Sequence, residues 1–254
     1  MTSSARGALG GVELQGQVAI ITGAGVRVGR ALALALADAG ANIAVHYNNS
    51  ADAAEETAAA VRERGVKAVA VQGNLRDAKA AAEQIVEETA ARLGPATILV
   101  NNASIFEIGG PLDADEATWD AHFNINLKAP FFLCQAFARR LPQDTPGNII
   151  NLLDWRIDRP RADRLVYTLT KSALATMTRG LAHALAPRIR VNGIAPGAIL
   201  PPPGADQQYL DRLARQIPLE RAGSPEEICR AALYLLGSTF VTGEVIYVTG
   251  GEHL

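Results

Sequence analysis

The chain has 254 residues, of which 48% are hydrophobic and 20% are charged, a composition that provides an ample core. Its formal net charge of −2 gives no overall positive field for nucleic acid or anionic lipid, and no apolar run approaches the ~20 residues of a membrane span. The two cysteines, Cys134 and Cys229, match neither a metal-ligand nor a redox spacing, so we predict no metal site and expect a reducing, cytoplasmic location.

The first residues, 1–16, are polar and glycine-rich and lack an apolar signal core, so we expect a flexible lead-in to a single domain that spans 1–254. Short apolar runs rich in β-branched residues then alternate with alanine- and leucine-rich helical stretches, such as 29–40 and 50–65. The predicted strands are 18–23, 42–47, 67–72, 97–102, 148–153, 189–194 and 244–250.

Strands that are apolar on both faces and are separated by helices indicate a parallel sheet covered on both sides. We therefore predict an α/β fold, a single doubly wound Rossmann domain with a seven-stranded parallel sheet and helices on both faces. The proline-rich segment 195–208 is predicted to be a loop at the mouth of the site, because its prolines disfavour a regular helix or a central strand.

The first strand leads into a glycine-rich turn and a helix, in the stretch "VAIITGAGVRVGRALALALADAG". Gly23, Gly25 and Gly29 would let the backbone approach a pyrophosphate, which the N-terminus of the helix would then bind. The spacing is one residue longer than the common dinucleotide fingerprint, and a turn needed only for packing is the alternative.

The end of the second strand carries no acidic residue to hold a ribose hydroxyl, because it reads "HYNNS" over 46–50. Arg27 lies in the glycine-rich turn, residues 22–29, which we call the phosphate loop. Its side chain can lean toward the end of the second strand. The missing carboxylate and the positive charge of Arg27 favour a cofactor with a 2′-phosphate on its ribose. The predicted cofactor is therefore NADPH. A solvated surface arginine is the alternative interpretation of Arg27.

The predicted chemistry depends on Tyr167 and Lys171, which lie four residues apart on one face of a helix. The pKa of a free tyrosine is near ~10, and a nearby ammonium should lower it. Tyr167 could then deliver a proton while a reduced cofactor delivers a hydride.

Five motifs together resemble the short-chain dehydrogenase/reductase family over nearly the whole chain: "TGAGVRVG" (22–29), "NNAS" (101–104), "NINL" (124–127), "YTLTK" (167–171) and "RVNGIAPG" (190–197). The resemblance implies that Tyr167 and Lys171 are the catalytic pair, that Asn126 supports Lys171 through a water, and that the chain forms a homotetramer. The predicted cofactor site comprises Gly23, Arg27, Val28, Gly29, His46, Tyr47, Asn48, Asn49, Ser50, Asn74, Leu75, Asn102, Ala103, Ser104, Pro196 and Gly197.

Departures from the common family pattern resemble its pteridine reductases, including the dihydromonapterin and dihydrofolate reductases. These departures are Arg27, the "HYNNS" stretch, Phe106, and Asp154 in place of the usual catalytic serine. The resemblance implies that Phe106 stacks on a planar substrate and that Asp154 acts with Tyr167. One mismatch is Asn49, where parasite pteridine reductases have a basic residue that grips the 2′-phosphate.

An ionised Asp154 cannot donate a hydrogen bond to a ketone oxygen that gains negative charge. Two like charges ~4 Å apart repel by about 4 kcal/mol at an effective dielectric constant near 20. A pterin instead offers N–H donors, and the nitrogen of its reduced C=N bond takes up a proton. The carboxylate therefore favours a small planar nitrogen heterocycle as the substrate, whereas a mere turn cap is the alternative role of Asp154.

Two further features near Asp154 are open to two interpretations each. Trp155 could cover a flat substrate or pack in the core. Four arginines, at 156, 159, 161 and 164, could attract an anionic substrate tail, but a solvated, mutually paired surface segment is the preferred interpretation.

The predicted function is NADPH-dependent reduction of a pteridine, dihydropteridine or dihydrofolate. A general carbonyl reductase of the same fold, for example a 3-oxoacyl or xenobiotic ketone reductase, is the first alternative and requires Asp154 to be protonated or turned away. A non-catalytic NADPH-binding sensor is the second, and an intact set of Tyr167, Lys171 and Asn126 argues against it. The side chain of the pterin is left open.

Overall fold

The computed structural model of the chain describes residues 12–202, 204 and 206–254. Within these ranges one parallel sheet of seven strands has the order β3-β2-β1-β4-β5-β6-β7. The strands are β1 (Val18–Ile21), β2 (Asn42–Tyr47), β3 (Ala68–Gln72), β4 (Ile98–Asn101), β5 (Gly147–Leu152), β6 (Ile189–Pro196) and β7 (Val245–Val248). The predicted doubly wound α/β fold is confirmed.

Helices cover both faces of this sheet. They are α1 (Arg27–Asp38), α2 (Ala51–Arg62), α3 (Ala78–Leu93), α4 (Glu116–Phe123), α5 (Ala129–Arg140), α6 (Leu165–Leu185), α7 (Gln207–Ala214) and α8 (Pro225–Gly237). On one face α1 packs against α2 and α8, and on the other α3 packs against α5 and α6 packs on β6.

Side chains of the central strands alternate between the two cores because successive residues of a strand point to opposite faces. Ile21 and Ile43 belong to the core under α1 and α2, whereas Ile20 packs with Ile85 of α3 in the core on the other face. This double burial explains why the strands read as continuous apolar runs.

The order of the strands reverses between β1 and β4, which are neighbours in the sheet although two strands separate them in the chain. The carboxyl ends of parallel strands lie at one edge, and ligands of this architecture bind in the crevice at such a switch point. The phosphate loop after β1 and the "NNAS" stretch after β4 therefore meet at this crevice.

Two predicted segments differ from expectation at their ends. Residues 1–11 of the predicted lead-in lie outside the described residues, and Leu14 is already buried, with its N–H donating to the Ala39 carbonyl at 2.7 Å. The predicted loop 195–208 is wrong at its start, because β6 continues to Pro196, which pairs with Val248 of β7.

Pro196 is tolerated in the strand because β5 has already ended beside it. The last paired residues of β5 and β6 are Leu152 and Ile194, so no partner on that side requires an N–H from Pro196. At the other end of the predicted loop, α7 begins at Gln207.

No helix in the described part of the chain is both long and apolar enough to cross a bilayer.

Candidate active site

The phosphate loop is closed so tightly that Gly29 can carry no side chain. A Cβ on Gly29 would lie 2.2 Å from the Gly23 carbonyl oxygen and 2.7 Å from Asn102 Nδ2. Gly23 has a φ of +64°, a left-handed conformation that favours glycine. Backbone therefore surrounds the start of α1, a surface that fits a pyrophosphate.

The "NNAS" stretch holds this loop against the end of β4. Thr22 Oγ1 accepts hydrogen bonds from the N–H groups of Asn102 and Ala103, both at 2.9 Å. Asn102 Nδ2 donates to the Thr22 carbonyl at 2.8 Å. Asn102 and Ala103 therefore join the end of β4 to the turn that follows β1.

The buried His46 ring supports the phosphate loop and does not face the crevice as a cation. The Gly23 N–H donates to Nδ1 at 3.2 Å, which leaves the proton on Nε2 to be donated to the Gly73 carbonyl at 3.0 Å. Burial lowers the pKa of His46 to about 4, so the ring is neutral at pH 7. Its side chain is a positioning group that joins the ends of β1 and β3, and it does not supply charge for a phosphate.

The exposed residues after β2 lie beside the phosphate loop. Asn48, Asn49 and Ser50 are exposed, and Tyr47 is half-buried. Arg27, at the first position of α1, has a φ of 55° and donates from Nη2 to the Pro201 carbonyl at 2.8 Å. Arg27 therefore bridges the phosphate loop and the 195–208 segment.

The other predicted cofactor residues lie near the same edge of the sheet. Asn74 follows β3 and caps its own turn by accepting the Arg76 N–H at 3.2 Å, and Leu75 beside it is buried. Val28 is half-buried in the first turn of α1.

At the end of β6, Pro196 and Gly197 lie against the C-terminal segment. The Gly197 N–H donates to the Val248 carbonyl at 2.9 Å. A Cβ on Gly197 would lie 2.6 Å from Glu252 Oε2 and 2.9 Å from Thr249 Cα, so only glycine permits this close approach.

The carboxylate of Asp154 faces the hydroxyl of Tyr167. Tyr167 Oη donates to Asp154 Oδ2 at 3.0 Å. Asp154 also caps the single-turn helix Trp155–Ile157, because Oδ1 accepts the Arg156 N–H at 2.8 Å. Asp154 therefore plays the alternative role of a turn cap and also contacts Tyr167.

Arg156 is the counterion of Asp154. Its Nη1 lies 3.1 Å from both carboxylate oxygens, and the side chains of Arg156 and Asp154 are only 20% and 13% exposed. Among the described residues, the groups that bond to Asp154 are all donors, so its side chain acts as an acceptor.

The predicted lowering of the Tyr167 pKa by Lys171 is wrong. Burial and the Asp154 charge raise the pKa of Tyr167 well above its ordinary value, and Arg156 offsets this only in part. Lys171 Nζ donates to the Leu152 carbonyl at 2.7 Å and lies 5.7 Å from the centroid of the Tyr167 ring. Burial lowers the pKa of Lys171 to about 8.

Asn126 lies in a π-helical turn, Asn124–Lys128, between α4 and α5. Such turns are frequent at functional sites. Its Oδ1 accepts the Ile105 N–H at 2.9 Å and the Ser104 hydroxyl at 3.1 Å, and its Nδ2 donates to the Ile105 carbonyl at 3.0 Å. Asn126 thus fixes the backbone that precedes Phe106.

Phe106 meets Tyr167 edge to face, with ring centroids 4.6 Å apart. The guanidinium carbons of Arg164 and Arg156 lie 4.4 Å and 5.3 Å from the Phe106 centroid. Trp155 is buried and has the Arg156 guanidinium 5.0 Å from its ring centroid. Phe106, Tyr167 and Asp154, predicted to share a substrate site, are therefore brought together.

A cavity of about 710 Å³ opens beside these residues. It is lined by Phe106, Trp155, Arg156, Arg159, Pro160, Arg161, Asp163, Arg164, Tyr209, Leu213, Gln216 and Glu252. The preferred interpretation of the arginines as a solvated surface segment is thus wrong for Arg156 and Arg164, which pack on the site.

Sequence reasoning missed Arg156 and Glu252 as site residues. The signal for Arg156 was its position two residues after Asp154, since a residue at that spacing can donate its N–H to the Asp side chain. Glu252 accepts the Ala198 N–H at 2.9 Å from a position 54 residues away, and no local pattern indicates such a contact.

Comparison with known proteins identifies relatives over most of the chain. A family model described as enoyl-(acyl carrier protein) reductase matches residues 23–253. The hydroxy(phenyl)methylsuccinyl-CoA dehydrogenase subunit BbsD of Thauera aromatica is 37% identical, with 95% of this chain and 98% of that protein covered. The 3-oxoacyl-(acyl-carrier-protein) reductase FabG of Staphylococcus epidermidis is 32% identical, with 93% and 98% covered.

Among solved structures, the chain is similar to FolM alternative dihydrofolate reductase 1 from Brucella canis complexed with NADP. The two are 37% identical and superpose with a TM-score of 0.87, covering 93% of this chain and 94% of that one. The motifs, the crevice at the switch point and these relatives agree: the chain belongs to the short-chain dehydrogenase/reductase family.

Proposed function

We propose that this oxidoreductase uses NADPH to reduce a pteridine or dihydropteridine. The observation that carries the proposal is the Asp154 carboxyl group, which lies 3.0 Å from the Tyr167 hydroxyl and is paired with Arg156. The similarity to FolM from Brucella canis supports the same substrate class.

The described residues fit NADPH on two counts. Gly29 tolerates no Cβ, so the backbone at the start of α1 is open to a pyrophosphate. The exposed residues 48–50 after β2 include no carboxylate that would repel a 2′-phosphate, and Arg27 supplies a positive charge in the phosphate loop, residues 22–29. When bound, NADPH supplies the hydride, and Lys171 would hold its ribose.

Tyr167 holds the proton that the substrate needs. Because the pKa of Tyr167 is raised, its hydroxyl remains protonated across the neutral range. Asp154 accepts this hydrogen bond and can also accept from N–H donors of a pterin ring. The two groups together would orient the ring and bring the phenolic proton to the nitrogen of its C=N bond.

Phe106 provides the apolar side of this substrate site. Its ring is 40% exposed and lies edge-on to Tyr167. A flat heterocycle that packs on Phe106 lies within reach of the Asp154 and Tyr167 oxygens, whereas a flexible acyl chain gains less from such a surface.

Reduction of a 3-oxoacyl thioester is the second candidate, because FabG from Staphylococcus epidermidis is 32% identical to this chain. Asp154 counts against it, since an ionised carboxylate cannot donate to the oxyanion that a ketone becomes. The carboxylate and the oxyanion, two like charges ~4 Å apart, would repel by about 4 kcal/mol at an effective dielectric constant near 20. Arg156 offsets a part of this repulsion.

The test is NADPH oxidation by the wild type and the Asp154→Ser variant with dihydrobiopterin, dihydrofolate, dihydromonapterin, a 3-oxoacyl thioester and simple ketones. The wild type should prefer the pterins, and Asp154→Ser should lose them and gain ketone turnover. Asp158→Ser is the matched control, since Asp158 is an exposed aspartate of the same segment.

Three results would change the assignment. If Asp154→Ser turned over pterins as fast as the wild type, the carboxylate would have no role in the mechanism. A wild type that prefers the 3-oxoacyl thioester makes the second candidate correct. Tight NADPH binding without turnover of any substrate supports a sensor. We also expect a cytoplasmic homotetramer, which fractionation of cells and mass measurement of the native protein would test.

A further inference from the structure

The cavity beside Phe106 is larger than a bicyclic ring requires. At about 710 Å³ it lies within the range of pockets, roughly 300–1,000 Å³, that hold ligands of drug size. The reacting ring would lie at the Phe106 and Trp155 end, next to Asp154. The remaining volume is then available to a substituent of the substrate.

The wall of this remaining volume is rich in cations. Among the described residues that line the cavity, four arginines face two carboxylates, Asp163 and Glu252, which leaves a formal excess of two positive charges. Arg156 is already neutralised by Asp154. When Asp154 is also counted, the side chains around this volume carry a formal excess of one positive charge.

Arg161 is held loosely enough to bind a ligand. Arg161 Nε lies 3.4 Å from Asp163 Oδ1, and both side chains are more than half exposed, at 61% and 57%. An exposed pair of this kind contributes about 0–1 kcal/mol, so an incoming carboxylate can replace it. Arg159 Nη1 contacts the Leu254 main-chain oxygen.

Arg164 connects the two parts of the cavity. Its guanidinium lies over the Phe106 ring, and its Nη1 donates to the Phe106 carbonyl at 3.2 Å, a neutral acceptor that does not cancel its charge. A guanidinium presents several N–H donors in a planar fork that suits a carboxylate. A tail attached to a ring on Phe106 would pass this group first.

We propose that the outer part of the cavity, lined by Arg159, Arg161 and Arg164, is a subsite for a carboxylate-bearing substrate tail. The inference rests on the proposed function and deepens it: the preferred substrate is a pteridine with an amino-acid tail, as in dihydrofolate, over one with a neutral hydroxyalkyl side chain, as in dihydrobiopterin.

The first test compares kcat/KM for dihydrofolate and dihydrobiopterin in the wild type and in an Arg159→Gln/Arg161→Gln double variant. Both arginines are exposed, so their loss should leave the fold intact. The selectivity for dihydrofolate should fall by at least about tenfold, the effect of losing a charge-assisted hydrogen bond. Arg139→Gln, an exposed arginine of α5 outside the cavity lining, should leave the selectivity unchanged.

The second test needs no pterin turnover. Binding of N-(4-aminobenzoyl)glutamate to the NADPH-loaded protein is measured by calorimetry at low and high salt. We expect binding that weakens with salt and is lost in the double variant.

The two proposals fail in different ways. Equal turnover of both pterins, with a selectivity that the double variant does not change, overturns the tail subsite and leaves the proposed function in place. Salt-sensitive binding of the probe without turnover of any pterin supports the subsite and overturns the function. Absence of both binding and turnover overturns both.

Discussion

Arg156 contacts Asp154 through both its main chain and its side chain. The main-chain N–H lies 2.8 Å from Oδ1, and Nη1 lies 3.1 Å from each carboxylate oxygen. This double contact fixes the direction in which the carboxylate faces Tyr167. It also keeps a negative charge tolerable at a side chain that is only 13% exposed.

Replacement of Arg156 by glutamine should lower kcat/KM for the preferred pterin by roughly 10–100-fold, because a charge-assisted hydrogen bond contributes about 1.5–3 kcal/mol. The Asp154 carboxylate would lose its counterion, and its orientation toward Tyr167 would loosen. Steady-state kinetics measure the effect. Arg139→Gln serves as the control, and wild-type kinetics for Arg156→Gln would show that the main-chain contact alone positions Asp154.

Replacement of Tyr167 by phenylalanine removes the hydroxyl and leaves the ring that packs edge to face on Phe106. We expect pterin reduction to fall by about 10²–10⁴-fold, the range for loss of a positioned proton donor. NADPH binding, followed by fluorescence, should persist. Retained activity would mean that another group donates the proton.

The buried His46 should make the stability of the protein depend on pH. Its pKa is about 4 in the folded protein and 6.5 in an unfolded chain. Between these values the unfolded chain binds more protons, so the stability that neutral His46 contributes is fully present above pH 6.5 and is lost as the pH falls toward 4. The total effect is about 3 kcal/mol.

The variant His46→Gln should therefore flatten the slope of the unfolding free energy against pH in that window. Denaturant titrations at several pH values measure the slope. His183→Gln, an exposed histidine of α6, should keep the wild-type slope. If both variants retained the wild-type slope, the protonation of His46 would not be the cause of the pH dependence.

One added methyl group should have opposite effects at two glycines. In Gly29→Ala the Cβ would lie 2.2 Å from the Gly23 carbonyl, so the phosphate loop must open, and both stability and NADPH affinity should fall. In Gly180→Ala nothing lies within 4 Å of the new Cβ on α6, so the protein should gain about 0.5–1 kcal/mol of stability. Thermal unfolding with and without NADPH compares the two, and normal NADPH affinity of Gly29→Ala would contradict a close-packed loop.

The structure corrects the electrostatics that the Tyr167 and Lys171 spacing suggested. Helical periodicity places both side chains on one face, but it does not say what each polar end contacts. Lys171 turns to the Leu152 carbonyl at the end of β5, and Tyr167 turns to Asp154. The pKa of Tyr167 is consequently raised, in contrast to the predicted lowering.

The sequence by itself determined the strands, their parallel arrangement, the position of the phosphate loop and the absence of an acid after β2. These features follow from local patterns: double-faced apolar runs, glycine spacing and the residues directly after a strand. The contact between Asp154 and Tyr167 was also within reach, since a strand end and the following helix bring them together.

Only the tertiary structure decided the roles of His46 and Glu252. His46 reaches Gly23 and Gly73, and Glu252 reaches Ala198, across separations of 23 to 54 residues. The direction of a polar side chain depends on which distant backbone groups and charges lie beside it after folding. That environment also fixes whether the group is charged, and it exists only once the sheet has assembled.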